Sequence, residues 1–511
     1  MRFLLVWSIV IGCILCGSMP VLAQRIGDGP VVENHLDQRK IDTRQMSLSE
    51  ILIAGGELFR AKFNSFDGQG RPGTTGTGDP RVPGSAPSFI RTSAPDSNSC
   101  TGCHNDPFPG AAGDFVANVF VLAQALDPVT ESISSSNSND RNTLGMHGSG
   151  PIEMLSREMT AEMHAIRDEA IAEAQDSGSA VAKQLWTKDV HFGSITANPD
   201  GSVDTSDVEG VDGDLIVKPF HQKGVVVSLR EFTNNAMNHH HGMQSIERFG
   251  EARTGTKDHD QDGVEDELTV GDITAATLWQ AVLGTPGQVI PNDPGVARAI
   301  IRGERTFGAI GCADCHVPSM ELSEPVFSEP NPYNPAGNLQ VSEVTRPYEI
   351  DLTNQGNAPF LESTRNGKAV VRAYTDLKRH NLCDDDYNHF CNEKVVQAGV
   401  PTNMFLTRKL WDVGNSAPYG HRGDLTTLTA AIYYHGGEAR DSRDAFFSME
   451  QRKQDEVIEF LKSLQVLAPG TQDLIVDENG QAKNKQALIQ KMEQEEFDGK
   501  DRAVRGQPRS E

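Results

Sequence analysis

Two short stretches constrain this chain more than anything else in it: "SCTGCHND", with Cys100, Cys103 and His104, and "GCADCHVP", with Cys312, Cys315 and His316. From the chain's own composition only about 0.004 C-x-x-C-H matches are expected by chance, so two are not an accident. Two thiols three positions apart can add across the two vinyl groups of one haem, and the next histidine is then held beneath the iron. A C-x-x-C redox pair or half a zinc site needs no following histidine, still less twice. The reading is two covalently bound haem c groups, with His104 and His316 as their proximal iron ligands.

The N-terminus, "MRFLLVWSIVIGCILCGSMPVLAQ", has one arginine, a long apolar run and V-L-A ending at Ala23. That is the pattern of a cleaved export signal over residues 1–23. "VIGC" also leaves open a lipoprotein anchor at Cys13. No later run reaches the roughly 20 apolar residues of a membrane span, so the expectation is a periplasmic or secreted protein with no integral membrane span. Export also supplies the compartment where c-type haem is attached. Of eight cysteines, Cys13 and Cys16 fall in the signal and four in the motifs. Cys383 and Cys391 remain, in "RHNLCDDDYNHFCNE". In an oxidising compartment the simplest reading is a disulfide closing a short acidic loop, the alternative a metal or redox role with His380 and His389. A net charge of −25 makes nucleic acid an unsuitable partner. Such acidity serves solubility or steers a basic electron-transfer protein.

With 511 residues, the chain is long enough for at least two cores. Residues 68–97, rich in Gly, Pro and Ser, read as a loop into the first motif. Beyond it Leu155, Met159, Met163, Ile166 and Ala170 recur at helical spacing between Pro151 and Gly178, a helix whose methionine stripe is core packing. Residues 190–218 read as a β-hairpin turning at Pro199, Asp200 and Gly201. "GTPGQVIPNDPG", residues 284–295, reads as a domain boundary. A helix through Ile300, Glu304 and Phe307 then runs into the second motif. Residues 319–345 read as a long loop over the second haem, and 451–466 as an amphipathic helix through Val457, Phe460, Leu461 and Leu464. Helix, motif, then later helices is the order of a small cytochrome c domain. The expected fold is therefore mainly α: two cytochrome c-like domains, residues 45–285 with insertions and 296–468, with long loops and a small β-hairpin insertion. A charged tail, solvated or partly disordered, is expected over 470–511.

"DHDQDGVEDELT" sets Asp258, Asp260 and Asp262 at alternate positions, then Gly263 for a sharp turn and Asp266 beyond it. This is the oxygen-rich start of a calcium loop. Position twelve is Thr269, which disfavours a standard EF-hand, but Glu267 can supply the bidentate carboxylate of a shortened loop. The alternative is a solvated acidic turn.

Five segments carry a resemblance: "RAYTDLKRHNLCDDDYNHFCNE" (372–393), "TRKLWDVGNSAPYGHRGDLTTLTAAIYYHGGEARDS" (407–442), "RNTLGMHGSGPIEM" (141–154), "GVVVSLREFTNNAMNHHHGMQSIERFG" (224–250) and "DQDGVEDELTVGDITA" (260–275). Spread over most of residues 45–465, they resemble the di-haem c-type oxidoreductases labelled thiol oxidoreductases or peroxidases, related to the bacterial di-haem cytochrome c peroxidases and their methylamine-utilisation relatives. The resemblance implies that the haem at Cys312, Cys315 and His316 takes in electrons and the haem at Cys100, Cys103 and His104 meets peroxide. The implied donor is a small electron-transfer protein, a cytochrome c or a cupredoxin. It also implies one calcium ion between the domains. Opposite the first iron the candidates are His239, His240, His241 and Met243 of "MNHHHGM", with His241 preferred and a surface cluster without haem contact as the alternative. Peroxidase relatives often carry a methionine within a motif like "SAPYGHRG", where this chain has Gly420, so His421, His435 and Met404 are the candidates at the second iron, each with a core or hydrogen-bonding role as the alternative. Glu153 is the candidate acid–base residue, the alternative being a plain helix-start carboxylate. Arg141 is the candidate partner of a haem propionate. Peroxide reduction is the leading expectation, with oxidation of a small-molecule or protein substrate by a high-valent haem pair, or electron transfer without catalysis, as alternatives.

Overall fold

The computed structural model describes residues 27–69, 97–120 and 138–504. The expected export signal over residues 1–23, with Cys13 and Cys16, and the Gly/Pro/Ser-rich stretch except for its ends, lie outside them. The principal helices in chain order are α1 (Leu48–Arg60), α2 (Ser149–Ser177), α3 (Leu229–Ala236), α4 (Val270–Ala281), α5 (Pro294–Ala309), α6 (Leu428–Tyr433), α7 (Arg440–Ser448), α8 (Gln451–Ser463) and α9 (Lys485–Val504). Among the described residues there are also six sheets of two or three strands, more β-structure than a single hairpin insertion.

Local chemistry sets the helix ends. α1 opens on a capping box in which Ser47 and Glu50 satisfy each other's backbone N–H. α5 starts at Pro294 behind Asp293, whose carboxylate accepts from the N–H groups of Gly295 at 2.7 Å and Val296 at 2.9 Å. Two helix pairs form the scaffold, α1 with α4 and α5 with α8, and each crosses at a glycine. A Cβ on Gly55 would collide with the Ala275 carbonyl, and one on Gly303 with the Glu456 carbonyl. Only a residue without a Cβ lets the helices approach this closely.

The methionine stripe of α2 is core: Leu155, Met159, Met163 and Ala170 are fully buried, and the helix ends at Gly178 with φ +65°. The β-element after it is larger and earlier than its sequence predicts. Val181–Thr187 pairs antiparallel with Val190–Ala197, which pairs again with Val203–Asp204. Its first turn is Lys188–Asp189, both with positive φ, a tight hairpin geometry that Asn-Gly usually marks. Without that dipeptide only the second turn, at Asp200–Gly201, is legible.

The core does not divide where the sequence suggests. One apolar cluster unites Ile51, Leu155, Ile273 and Leu278 with Phe327, Ile350, Leu361 and Val371, which follow the second C-x-x-C-H motif. A separate cluster, with Phe307, Leu428, Phe446, Val457 and Phe460, surrounds that motif. None of residues 319–345 borders the cavity beside the second motif. Strand Val326–Glu329 pairs with Tyr348–Asp351, and the segment is pinned to α2 and α3 by Arg157 on Ser328 (2.9 Å) and Ser228 on Asn334 (2.5 Å). The expected boundary at 284–295 holds a strand, Gly287–Val289, flanked by Leu464–Gln465 and Ile475–Val476. The charged tail likewise docks: Leu488 of α9 packs on Ile290, Ala297 and Ile300, and Met492 is buried. Two apolar positions four apart suffice for this, and the surrounding charges mask them in sequence.

Candidate active site in two adjoining cavities

The second motif opens onto a cavity of about 470 Å³ whose walls include Phe307, Leu428, Ile432, Phe446 and Leu461. His316 donates from Nδ1 to the Tyr374 carbonyl at 3.0 Å, which fixes its tautomer and leaves Nε2 as a lone-pair ligand. His435 borders the same cavity with the same arrangement, its Nδ1 donating to the Ala431 carbonyl at 2.7 Å. Burial, reinforced by the neighbouring His435, pushes the His316 imidazole down to about 4, so it is neutral. His421 also borders the cavity, but its Nε2 is bonded to Asn392 at 2.7 Å and its ring packs on Phe405 at 4.8 Å. Met404 does not line the space; its neighbours Phe405 and Leu406 do. Lys409 lines it too, with burial pushing its ammonium down to about 8.

The first motif opens onto a narrower cavity of about 110 Å³, bordered by Cys100, Cys103 and His104 with Arg141, His240 and His241. Met237–His241 is a π-helical turn that prolongs α3 and stops at Gly242, φ +66°. Within it His241 is committed: Nδ1 donates to the Ser97 carbonyl at 2.8 Å, and Nε2 lies 3.3 Å from the Cys100 sulfur. His239 and Met243 are buried but border neither cavity. His104, like His316, is pushed down to about 4, by burial first and then by His240. Burial holds the Cys100 and Cys312 thiols at about 12.

Asn142, Thr143, Leu144, Met146, His221 and Phe232 border both cavities, so a single layer of residues separates them. The segment after the Cys383–Cys391 disulfide, whose Cα atoms are 5.8 Å apart, braces this wall. Glu393 pairs with both Arg141 and Lys223, the latter at 3.3 Å. Gln397 accepts from Arg141 at 2.9 Å. His380 and His389 are engaged elsewhere, His380 between Asp376 (2.8 Å) and Glu438 (2.7 Å) and His389 stacked on Tyr434 at 4.4 Å.

Glu153 stands apart from both cavities. Its fully buried carboxylate accepts from Arg157 (2.7 Å), Asn331 (2.8 Å) and the Leu229 N–H (2.7 Å). It borders neither cavity, and its three partners are the hydrogen bonds of a buried structural carboxylate. In the acidic loop, carboxylate oxygens of Asp258, Asp260 and Asp262 lie within 4.8 Å of one another. Glu267 is buried, and burial together with Asp260 holds its carboxyl well above the usual range. Asp266 falls outside the group and faces Lys257 at 3.8 Å.

His221 and Lys409 are the cavity residues that sequence reasoning missed. "KPFHQKG" and "TRKLW" match no ligand spacing, and nothing in either marks a wall between two cavities. No helix among the described residues is long and apolar enough to cross a membrane.

Residues 353–464 match the family described as "Di-haem oxidoreductase, putative peroxidase", which bears out the resemblance over that segment. No curated protein matches the sequence. Among solved structures, similarity is found to Kuenenia stuttgartiensis hydrazine synthase pressurized with xenon, at 12% identity and TM-score 0.35, covering 90% of this chain and 100% of that one. A MauG-like protein associated with microbial copper homeostasis is similar at 14% identity and TM-score 0.23, covering 66% of this chain and 91% of that one.

Proposed function

From a chain whose residues 353–464 match the di-haem oxidoreductases, we propose an exported enzyme of two haem c groups that reduces hydrogen peroxide with electrons from a small redox protein. The observation that carries this reading is the inequality of two cavities sharing one wall. At the second, His316 and His435 both have Nδ1 tied to a backbone carbonyl and Nε2 left over, the requirement for two permanent iron ligands. At the first, His241 Nε2 lies 3.3 Å from the Cys100 sulfur, which would attach at the porphyrin edge and not at the iron, so the face opposite His104 is left for substrate. The donor set fits the group: paired cysteines, a neutral histidine and, at the second cavity, apolar walls. When bound, the haem pair supplies the two electrons that split the O–O bond.

The chain's own residues do the rest. Cys100 with Cys103, and Cys312 with Cys315, would hold the two groups covalently; Arg141 and Lys409 would pair with propionates. The single-layer wall would keep the electron path between two groups held in these cavities short. Asp258, Asp260, Asp262 and Glu267 would take one calcium ion, which relieves the repulsion now borne by the buried Glu267.

The test is the optical and EPR spectrum of the purified holoprotein, oxidised and half-reduced, followed by peroxide and reduced cytochrome c. One high-spin and one low-spin haem are expected, with two cytochromes oxidised per peroxide. His435→Ala should convert the low-spin signal to high-spin, and His421→Ala should not. Two low-spin haems indifferent to peroxide in every state would leave only an electron carrier. Peroxide consumed together with an organic or protein substrate, and no cytochrome oxidised, would mark a substrate oxidase.

A further inference from the structure

His221 is the one described histidine that borders both cavities, and its backbone is held at φ +62°, a region a residue with a Cβ enters at a cost. Strain of this kind persists only where the surroundings over-determine it. Its surroundings also determine which ring nitrogen carries the proton. An arginine can only donate, so Arg141, at 2.9 Å, fixes the Gln397 carbonyl toward itself. The Gln397 amide N–H groups then face the other way, and one of them lies 3.4 Å from His221 Nδ1. Nδ1 is therefore an acceptor, and the proton of the neutral ring sits on Nε2. Gln397 has no exposed surface and Arg141 is buried, so the bond between them is shielded from water, while the His221 ring is only partly buried. The ring is further steadied edge-on against Phe232 at 5.4 Å.

We propose that His221 is a catalytic residue that presents Nε2–H as a fixed hydrogen-bond donor to the oxygen ligand on the open face of the first haem. This rests on the assignment of that face to substrate. A donor aimed where negative charge gathers as the O–O bond breaks stabilises that charge without reorganising. Burial and the adjacent Arg141 push the His221 imidazole down to about 3, so it acts as a neutral donor and not as a cation. Gln397 and Arg141 are positioning residues in this scheme.

Fluoride tests the donor without turnover, because as a small anionic ligand of ferric haem it is held by exactly such a hydrogen bond. In His221→Ala holoprotein, fluoride affinity should fall about 10-fold or more, as expected for a hydrogen bond to a charged group, while His221→Gln, which keeps an N–H, should retain most of it. Gln397→Glu gives a second route if the alanine variant fails to fold. A carboxylate there draws the proton to Nδ1, and fluoride affinity should fall although the imidazole remains. Unchanged affinity in His221→Ala overturns the proposal. So does a change of its resting spectrum from low-spin to high-spin, which would make His221 an iron ligand, or a wild-type protein in which neither haem binds fluoride. Since no peroxide is involved, a protein that binds fluoride through His221 yet ignores peroxide would refute the peroxidase reading and leave the donor standing.

Discussion

Glu153 and Arg157 stand four residues apart on α2, both buried, and the carboxylate of one is the charge partner of the other. Removing one member of such a pair strands the other in a poor solvent. Glu153→Ala is expected to lower stability by about 3–5 kcal/mol, read from denaturant unfolding, while each folded molecule reacts with peroxide at the wild-type rate. A loss of rate with intact stability would restore Glu153 to the chemistry. The contrast with His221 shows what a sequence displays at this scale. C-x-x-C-H is legible because its chemistry acts between neighbours in the chain. His221 earns its place through a backbone angle and through Arg141 and Gln397, 80 residues before it and 176 after it, and no local pattern encodes that.

At the scale of elements, α4 shows how a segment far off in sequence is held. His35 donates to Asp272 at 2.7 Å, and the same carboxylate closes the capping box at Thr269. The bond to Asp272 raises the His35 pKa above its ordinary 6.5. A raised histidine stabilises fully below its unfolded value, and the benefit is lost as pH rises through the folded one. Residues 27–46 should thus be better protected from limited proteolysis at pH 6 than at pH 9, and His35→Gln should remove that difference. The acidic loop just ahead of α4 offers a sharper test. Chelation should lower Tm and added calcium restore it, a stabilisation of about 2.7 kcal/mol at a hundred times Kd; Glu267→Gln should blunt the response, and a Tm indifferent to both chelator and calcium would leave only an acidic turn. Helices with strong periodicity, such as α2 and α8, were readable in advance. The short strands were not, because a two- or three-residue strand is defined by its partner and not by its own sequence.

For the whole molecule, a net charge of −25 predicts the sign of its encounters. Electron delivery from a basic cytochrome should slow steeply between low and physiological ionic strength, and an acidic donor should be slow throughout. Stopped-flow rates across a salt series check this, and a salt-independent rate with the basic donor would exclude steering. The sequence suggested two domains laid end to end, since it reveals each motif and its flanking helices but not which core a strand joins. The folded chain instead leaves the first core after α4, builds the second motif, and returns to the first core with Phe327, Ile350, Leu361 and Val371. That return has a consequence for how the protein matures. A chain emerging from its N-terminus cannot close the first core until residues beyond 371 have followed, by which time both C-x-x-C-H motifs are already out. If both motifs carry haem as proposed, attachment at the two sites would fall within one window, before the fold locks, and the order of synthesis itself would keep the first cysteine pair accessible until the second has arrived.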